Sequence, residues 1–131
     1  MSTTIKVRKA PDGKIGQLIE IGAHTLYADE PPANGGDDQG PAPHELVDAA
    51  LGTCTALTVT LVARRKQFPL EDVRVEIAHE NVDGVYKMHR RIELVGTLSD
   101  EQKQYLLGIA NKCPVHRTLT GRIEIDTALV G

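Results

Sequence analysis

The chain has 131 residues, of which 40% are hydrophobic and 25% charged, with a formal net charge of −3. Such a length suits one domain, since domains commonly run to about 100–150 residues, and a mildly acidic surface argues against binding a phosphate backbone. One Phe, three Tyr and no Trp require an aliphatic core and leave few stacking platforms for single-stranded nucleic acid.

In chain order, Ile5 and Val7 alternate with Lys6 and Arg8 before the turn residues Pro11-Asp12-Gly13. QLIEI (17–21) and HTLYA (24–28) follow, divided at Gly22, so the simplest expectation is a three-stranded meander. The segment EPPANGGDDQGPAP (30–43) reads as an irregular loop. Only about 30 residues precede it, too few for a separate stable domain, so residues 1–131 are expected to form a single domain.

From His44 to about Gln67 no proline interrupts the chain, and Pro43 suits the first position of a helix. Leu46, Ala49, Ala50, Leu51, Cys54, Leu57, Leu61 and Val62 cover more than one face, which predicts a helix buried nearly all round. Val73, Val75 and Ile77 then alternate with charged residues, as do Met88, Arg90, Ile92 and Leu94, with Asp83-Gly84 between them. That pattern predicts an antiparallel hairpin. Ser99 and Gln102 form a capping-box pattern. Behind it Leu106, Ile109, Ala110 and Cys113 fall on one helical stripe, with Pro114 as the stop. A short helix is expected to restart over Val115–Thr120, and Gly121 to close it before a last strand at Arg122–Asp126.

Strands, helix, hairpin, helices and strand make an α+β protein. A long apolar helix against two small sheets leaves more apolar surface than a small domain can hide, which points to a second copy. No apolar run approaches the roughly 18 residues needed to span a membrane. The N-terminus, MSTTIKVRKAPDG, lacks the apolar segment of a secretory signal. The expectation is a cytoplasmic protein that uses neither membrane nor nucleic acid.

The chemistry rests on Cys54 and Cys113. Two cysteines are too few for a disulfide scaffold, and two inert packed thiols are the plain alternative. Burial alone would raise the Cys54 pKa and silence it, unless a positive group or a donor reaches it. Cys113 precedes Pro114, so a helix restarting there would make it the N-cap, where a thiol pKa falls. Zinc would need further ligands from the five histidines, yet only His116 lies close to a cysteine and no paired cysteines occur. Ser2 and Ser99 lack a G-x-S-x-G turn, which argues against a serine hydrolase.

GPAPHELVDAALGTCTALTV (40–59) and NKCPVHRTLTG (111–121) resemble the two cysteine motifs of the osmotically inducible protein C (OsmC) and organic hydroperoxide resistance family. YADEPPANGGDDQGP (27–41) is similar to the loop of a branch fused to α/β-hydrolases. The resemblance implies an OsmC-like fold, an intertwined α+β homodimer of small antiparallel sheets around a long central helix, with sites at the subunit interface. It implies that Cys54 is the peroxidatic thiolate that becomes a sulfenic acid. Cys113 then resolves it as a disulfide, which a dithiol reductant of dihydrolipoyl type reopens. No cofactor or metal is implied.

Two groups depart from the family pattern. The family's glutamate falls at His44 here, with Glu45 one place on, a shift of about 100° around a helix. Glu45 is the candidate acid of the site, with a first-turn role as its alternative. The family's arginine has no match in the N-terminal region, where Arg8 is nearest, and Arg117 or His116 could replace it. A non-catalytic ligand-binding or redox-sensing protein on the same fold is therefore the second reading.

Overall fold

The computed structural model describes residues 3–131, which form two compact units divided between Val47 and Asp48. In the first, β1 (Ile5–Lys9), β2 (Gln17–Ile21) and β3 (His24–Ala28) build the expected antiparallel meander in the order β1-β2-β3. Ile19 lies opposite both Val7 and Leu26. Gly22 turns the chain between β2 and β3 at φ +59, a backbone state that glycine adopts without steric penalty.

The loop after β3 is irregular, as its composition predicts, but it is held from within. The buried Asp29 carboxylate accepts the backbone N–H groups of Glu30, Asp37 and Gln39 at 2.8, 3.2 and 3.1 Å. Led by the Glu30 and Gln39 amides, these donors favour the charged carboxylate and hold its pKa below the ordinary value. A short 3-10 turn, Pro32–Asn34, is the loop's only regular piece.

Helix α1 (Pro43–Arg65) begins with the expected proline. It ends in a Schellman arrangement: the N–H of Gln67 donates to Arg64, that of Phe68 donates to Ala63, and Gln67 has φ +58. In the second unit, β4 (Leu70–Val82) and β5 (Val85–Gly96) pair as the predicted hairpin, though both are longer than the alternating core suggested. Asp83 and Gly84 both have positive φ, as a two-residue type I′ turn demands. The capping box of Ser99 and Gln102 opens α2 (Asp100–Ala110). Val59 and Ala63 of α1 meet Leu106 and Ala110 of α2, with Phe68, Val73, Ile92 and Leu94 packed around them.

Three expectations change. Helix α1 is not buried all round within one chain: Leu51, Thr55, Val59 and Ala63 form a buried stripe, while Leu57 and Leu61 are 59% and 50% exposed. Apolar residues on more than one face need more than one partner, and the hairpin with one short helix covers only the buried stripe. Arg122–Asp126 carries no strand assignment, and Ile123 and Ile125 are exposed. Alternation makes a segment fit for a sheet, but a strand also needs a neighbouring ladder, and none is assigned to it. Finally, α1 is by length and composition apolar enough to cross a membrane, with a mean hydropathy of 1.7. Between its charged ends, Asp48 and four threonines interrupt the apolar residues, so a reading by continuous apolar runs passes over it.

Candidate functional site

The two cysteines, 59 positions apart in the chain, meet in the second unit. Cys54 lies on α1, and Cys113 is not on α2 but one step further, as the N-cap of α3 (Pro114–Thr120). Both are free thiols, Cys54 partly exposed and Cys113 fully buried, and their side chains are within hydrogen-bonding reach.

The Cys-Pro-Val-His sequence explains how they are held. A helix start leaves its first N–H groups without intrahelical partners, and Pro114 has no N–H to offer. The next two amides each take one sulfur: Val115 donates to Cys54 Sγ at 3.5 Å and His116 donates to Cys113 Sγ at 3.4 Å. One helical turn thus grips a pair whose members come from distant parts of the chain.

The cation of the site is Arg90 of β5, a residue that motif comparison did not suggest. Its Nη1 donates to Thr55 Oγ1 at 3.0 Å and to the Ala110 carbonyl at 3.3 Å. Its Nη2 donates to Asn111 Oδ1 at 2.8 Å and to His116 Nδ1 at 3.2 Å. A guanidinium only donates, so His116 must accept at Nδ1 and carry its ring proton on Nε2. Thr55 gives its single proton to the Leu51 carbonyl at 2.6 Å and touches Cys113 Sγ at 3.9 Å. Burial pushes the Cys113 thiol up. The His116 amide, the Cys54 side chain and the Arg90 charge outweigh it, leaving its pKa below the ordinary thiol value.

Of the other expected cations, Arg8 and Arg117 lie elsewhere and His116 is at the site. Arg8 pairs with Glu20 across β1 and β2 at 3.2 Å. Arg117 is exposed on α3. His116 contributes its amide to Cys113 and its ring to Arg90. The Glu45 carboxylate accepts the Ala42 N–H at 2.8 Å, the first-turn role weighed for it. His44 is exposed beside it.

Next to Cys54 an open hollow of about 450 Å³ is lined by Ala49, Ala50, Thr53, Leu57, Thr58 and Pro114. No charged side chain lines it, so it suits an apolar group better than an ion. Two turns before Thr55, Asp48 forms a second polar cluster: its Oδ2 accepts from His79 Nδ1 at 2.5 Å and its Oδ1 accepts from Tyr86 Oη at 2.6 Å. The His79 and Tyr86 rings stack at 4.8 Å. Burial, then the bond to Asp48, pushes the Tyr86 pKa up to about 12.

A helix-borne cysteine beside a second cysteine at a Cys-Pro helix start, on an α+β frame of two small antiparallel sheets, defines a class of small two-cysteine proteins. The sequence profile described as OsmC-like protein matches residues 35–128. The chain belongs to the OsmC-like family. Solved structures agree on the fold. An OsmC-like protein from Mycoplasma pneumoniae is 18% identical, with a TM-score of 0.75 over 92% of this chain and 89% of that one. An organic hydroperoxide resistance protein OsmC from Legionella pneumophila is 21% identical, with a TM-score of 0.66 over 92% and 90%. The organic hydroperoxide resistance protein OhrB of Bacillus subtilis is 18% identical, with a TM-score of 0.61 over 92% of both chains. No curated protein matches the chain.

Proposed function

We propose that this chain is a thiol-dependent reductase of organic hydroperoxides working through Cys54 and Cys113. The observation that carries the reading is the pair itself: two free thiols within reach of each other, each held by an amide of one helical turn, the more accessible one facing an apolar hollow. Cys54 attacks the distal peroxide oxygen and becomes a sulfenic acid, with the organic group of the peroxide in the hollow. Cys113 attacks the Cys54 sulfur, water leaves, and a dithiol of dihydrolipoyl type reopens the disulfide. The names of the Legionella and Bacillus structures, both organic hydroperoxide resistance proteins, support this substrate class. The reading places the protein in the cytoplasm as a homodimer, with the exposed stripe of α1 covered by the second copy, and residues 1–131 as one functional domain. Glu45 enters as an acid at the start of α1, and Glu45→Gln asks whether turnover needs its charge.

The test is consumption of cumene hydroperoxide with a dithiol. Wild type is expected to turn over and Cys54→Ser to show none. Activity that survives this substitution overturns the peroxidatic role of Cys54.

One observation favours a second reading, a redox-sensing or ligand-binding protein without turnover. Arg90 is engaged by four acceptors and is not among the residues lining the hollow. That reading predicts negligible consumption and a retained apolar ligand in native mass spectrometry.

A further inference from the structure

We propose that Arg90 is a positioning residue for the step that joins the two cysteines. It braces the Cys113 joint against α1 and so sets how readily Cys113 closes on Cys54. The brace stands on hydrogen bonds alone, and its place in turnover rests on the peroxidase reading above.

Arg90 acts from a fixed platform, since it lies opposite Ile77 in the regular part of the β4–β5 ladder. The segment it reaches has little else to hold it. Residues 111–113 join α2 to α3, and no residue of α3 is fully buried. The four acceptors of the guanidinium flank both cysteines. Thr55 follows Cys54 directly on α1, Ala110 and Asn111 precede Cys113, and His116 comes shortly after it. The Ala110 carbonyl also accepts the N–H of Cys113 itself at 3.3 Å, so one oxygen links the brace to that residue's backbone. None of the four bonds ends on a sulfur, so Arg90 acts on the pair through its neighbours. A planar fork of five donors can hold acceptors on several elements at once. A disulfide tolerates only a narrow range of Cα separation and torsion. A misplacement of roughly 1 Å can cost on the order of 100-fold in rate. With the joint untied, Cys113 spends most of its time in positions from which it cannot reach Cys54.

In turnover, the Cys54 sulfur attacks the distal peroxide oxygen. An S–O bond forms, the O–O bond breaks, and the alkoxide takes a proton and leaves as alcohol. The Cys113 sulfur then attacks the Cys54 sulfur. The S–S bond forms, the S–O bond breaks, and hydroxide takes a proton and leaves as water. Two electrons pass from the pair to the peroxide. When closure is slow, the sulfenic sulfur meets a second hydroperoxide instead. It gains a second oxygen, a second alcohol leaves, and Cys54 ends as a sulfinic acid, which a dithiol does not reverse. Arg90 thereby decides between a recyclable protein and a spent one.

The experiment uses the full reduced chain, first without peroxide. It is mixed with dithiodipyridine, a neutral aromatic disulfide, and thiopyridone release is followed by stopped flow. The accessible Cys54 attacks the reagent and frees one thiopyridone; Cys113 then attacks Cys54 and frees the second. The ratio of the second rate to the first reads closure, and a uniform loss of stability leaves it unmoved. In Arg90→Gln that ratio is expected to fall at least about tenfold. The double variant Asn111→Ala, His116→Phe keeps Arg90 and its charge but unties the joint, and its ratio is expected to fall likewise. A wild-type ratio in either variant overturns the brace. If Arg90→Gln does not fold, the double variant, which changes no fully buried residue, decides alone. In a second arm, wild type and Arg90→Gln meet excess cumene hydroperoxide and their intact masses are read. Wild type is expected to collect as the disulfide and Arg90→Gln as the Cys54 sulfinic acid. Equal disulfide yields remove Arg90 from the resolving step. If wild type consumes no peroxide, the peroxidase reading fails while the exchange with dithiodipyridine still decides the brace.

Discussion

At the scale of single residues, the site is organised by Arg90. It sits in the inward register of β5 with Met88, Ile92 and Leu94, so the signal was present in the sequence: an arginine on the apolar face of an alternating strand must find acceptors. What the sequence did not contain is the list of those acceptors, because Thr55, Ala110, Asn111 and His116 are brought together only by folding. Looking for the cation near the N-terminus or beside Cys113 misses it, since it arrives from a strand that carries no motif. Cys113 was easier to read, because Pro114 marks its helix start in one dimension. Which amide serves which sulfur was not legible. Thr55 is fully buried and bridges Leu51, Arg90 and Cys113. Thr55→Val keeps the shape but strips Arg90 of an acceptor, with an expected loss of about 1–3 kcal/mol. Chemical denaturation checks this; a change under about 0.5 kcal/mol, the range of an ordinary surface substitution, would show that Arg90 does not depend on Thr55.

At the scale of elements, α1 meets the β4–β5 hairpin at two polar points seven residues apart. Seven residues are close to two helical turns, so Asp48 and Thr55 share one face, the first on His79 and Tyr86, the second on Arg90. Between them Gly52 leaves room: a Cβ there would stand 3.4 Å from Ile77 Cδ1. The inward register of His79 could be read from the period of two that begins at Val73, but the length of the hairpin could not. Its outer face is mostly charged, and the alternation is lost at Val82 and Val85 beside the turn, both exposed. Replacing Asp48 with Ala removes the carboxylate that accepts from both the Tyr86 hydroxyl and His79 Nδ1. Melting is expected to show a loss of about 1–3 kcal/mol. The Tyr86 titration, followed by ultraviolet absorbance, should fall from about 12 toward the ordinary tyrosine value of 10.0. The sign for wild type follows from that upward shift. Stability from neutral Tyr86 is complete below pH 10, the unfolded value, and is lost as the pH rises through about 12. In Asp48→Ala this alkaline loss should shrink.

At the scale of the whole molecule, the α+β class and the order of elements were legible because caps, turns and periods are local. The assembly is not local. The last segment has strand alternation at Ile123 and Ile125 but no assigned ladder, and α1 keeps Leu57 and Leu61 exposed. The sequence showed an excess of apolar surface on α1, but not which segments would cover it or pair with the last one. If a second copy covers the exposed face of α1, Leu61→Asp puts an unpaired charge in that interface. Sedimentation should then show a dimer for wild type and a monomer for the variant. At 50% exposure in the single chain, the substitution itself should change the monomer's stability by no more than about 0.5 kcal/mol. Two identical sedimentation profiles would remove α1 from the interface.

The first turn of α3 has one more consequence. Because the amides of Val115 and His116 each end on a sulfur, the backbone carries its own gauge of oxidation. A thiol or thiolate accepts an amide proton better than a disulfide sulfur does, so both amides should lose protection together when the pair closes. In ¹⁵N spectra of uniformly labelled protein, these two signals are expected to move upfield and to exchange faster with water after peroxide treatment, and to return with a dithiol. Stationary signals through a full redox cycle would mean that the amides do not rest on the sulfurs.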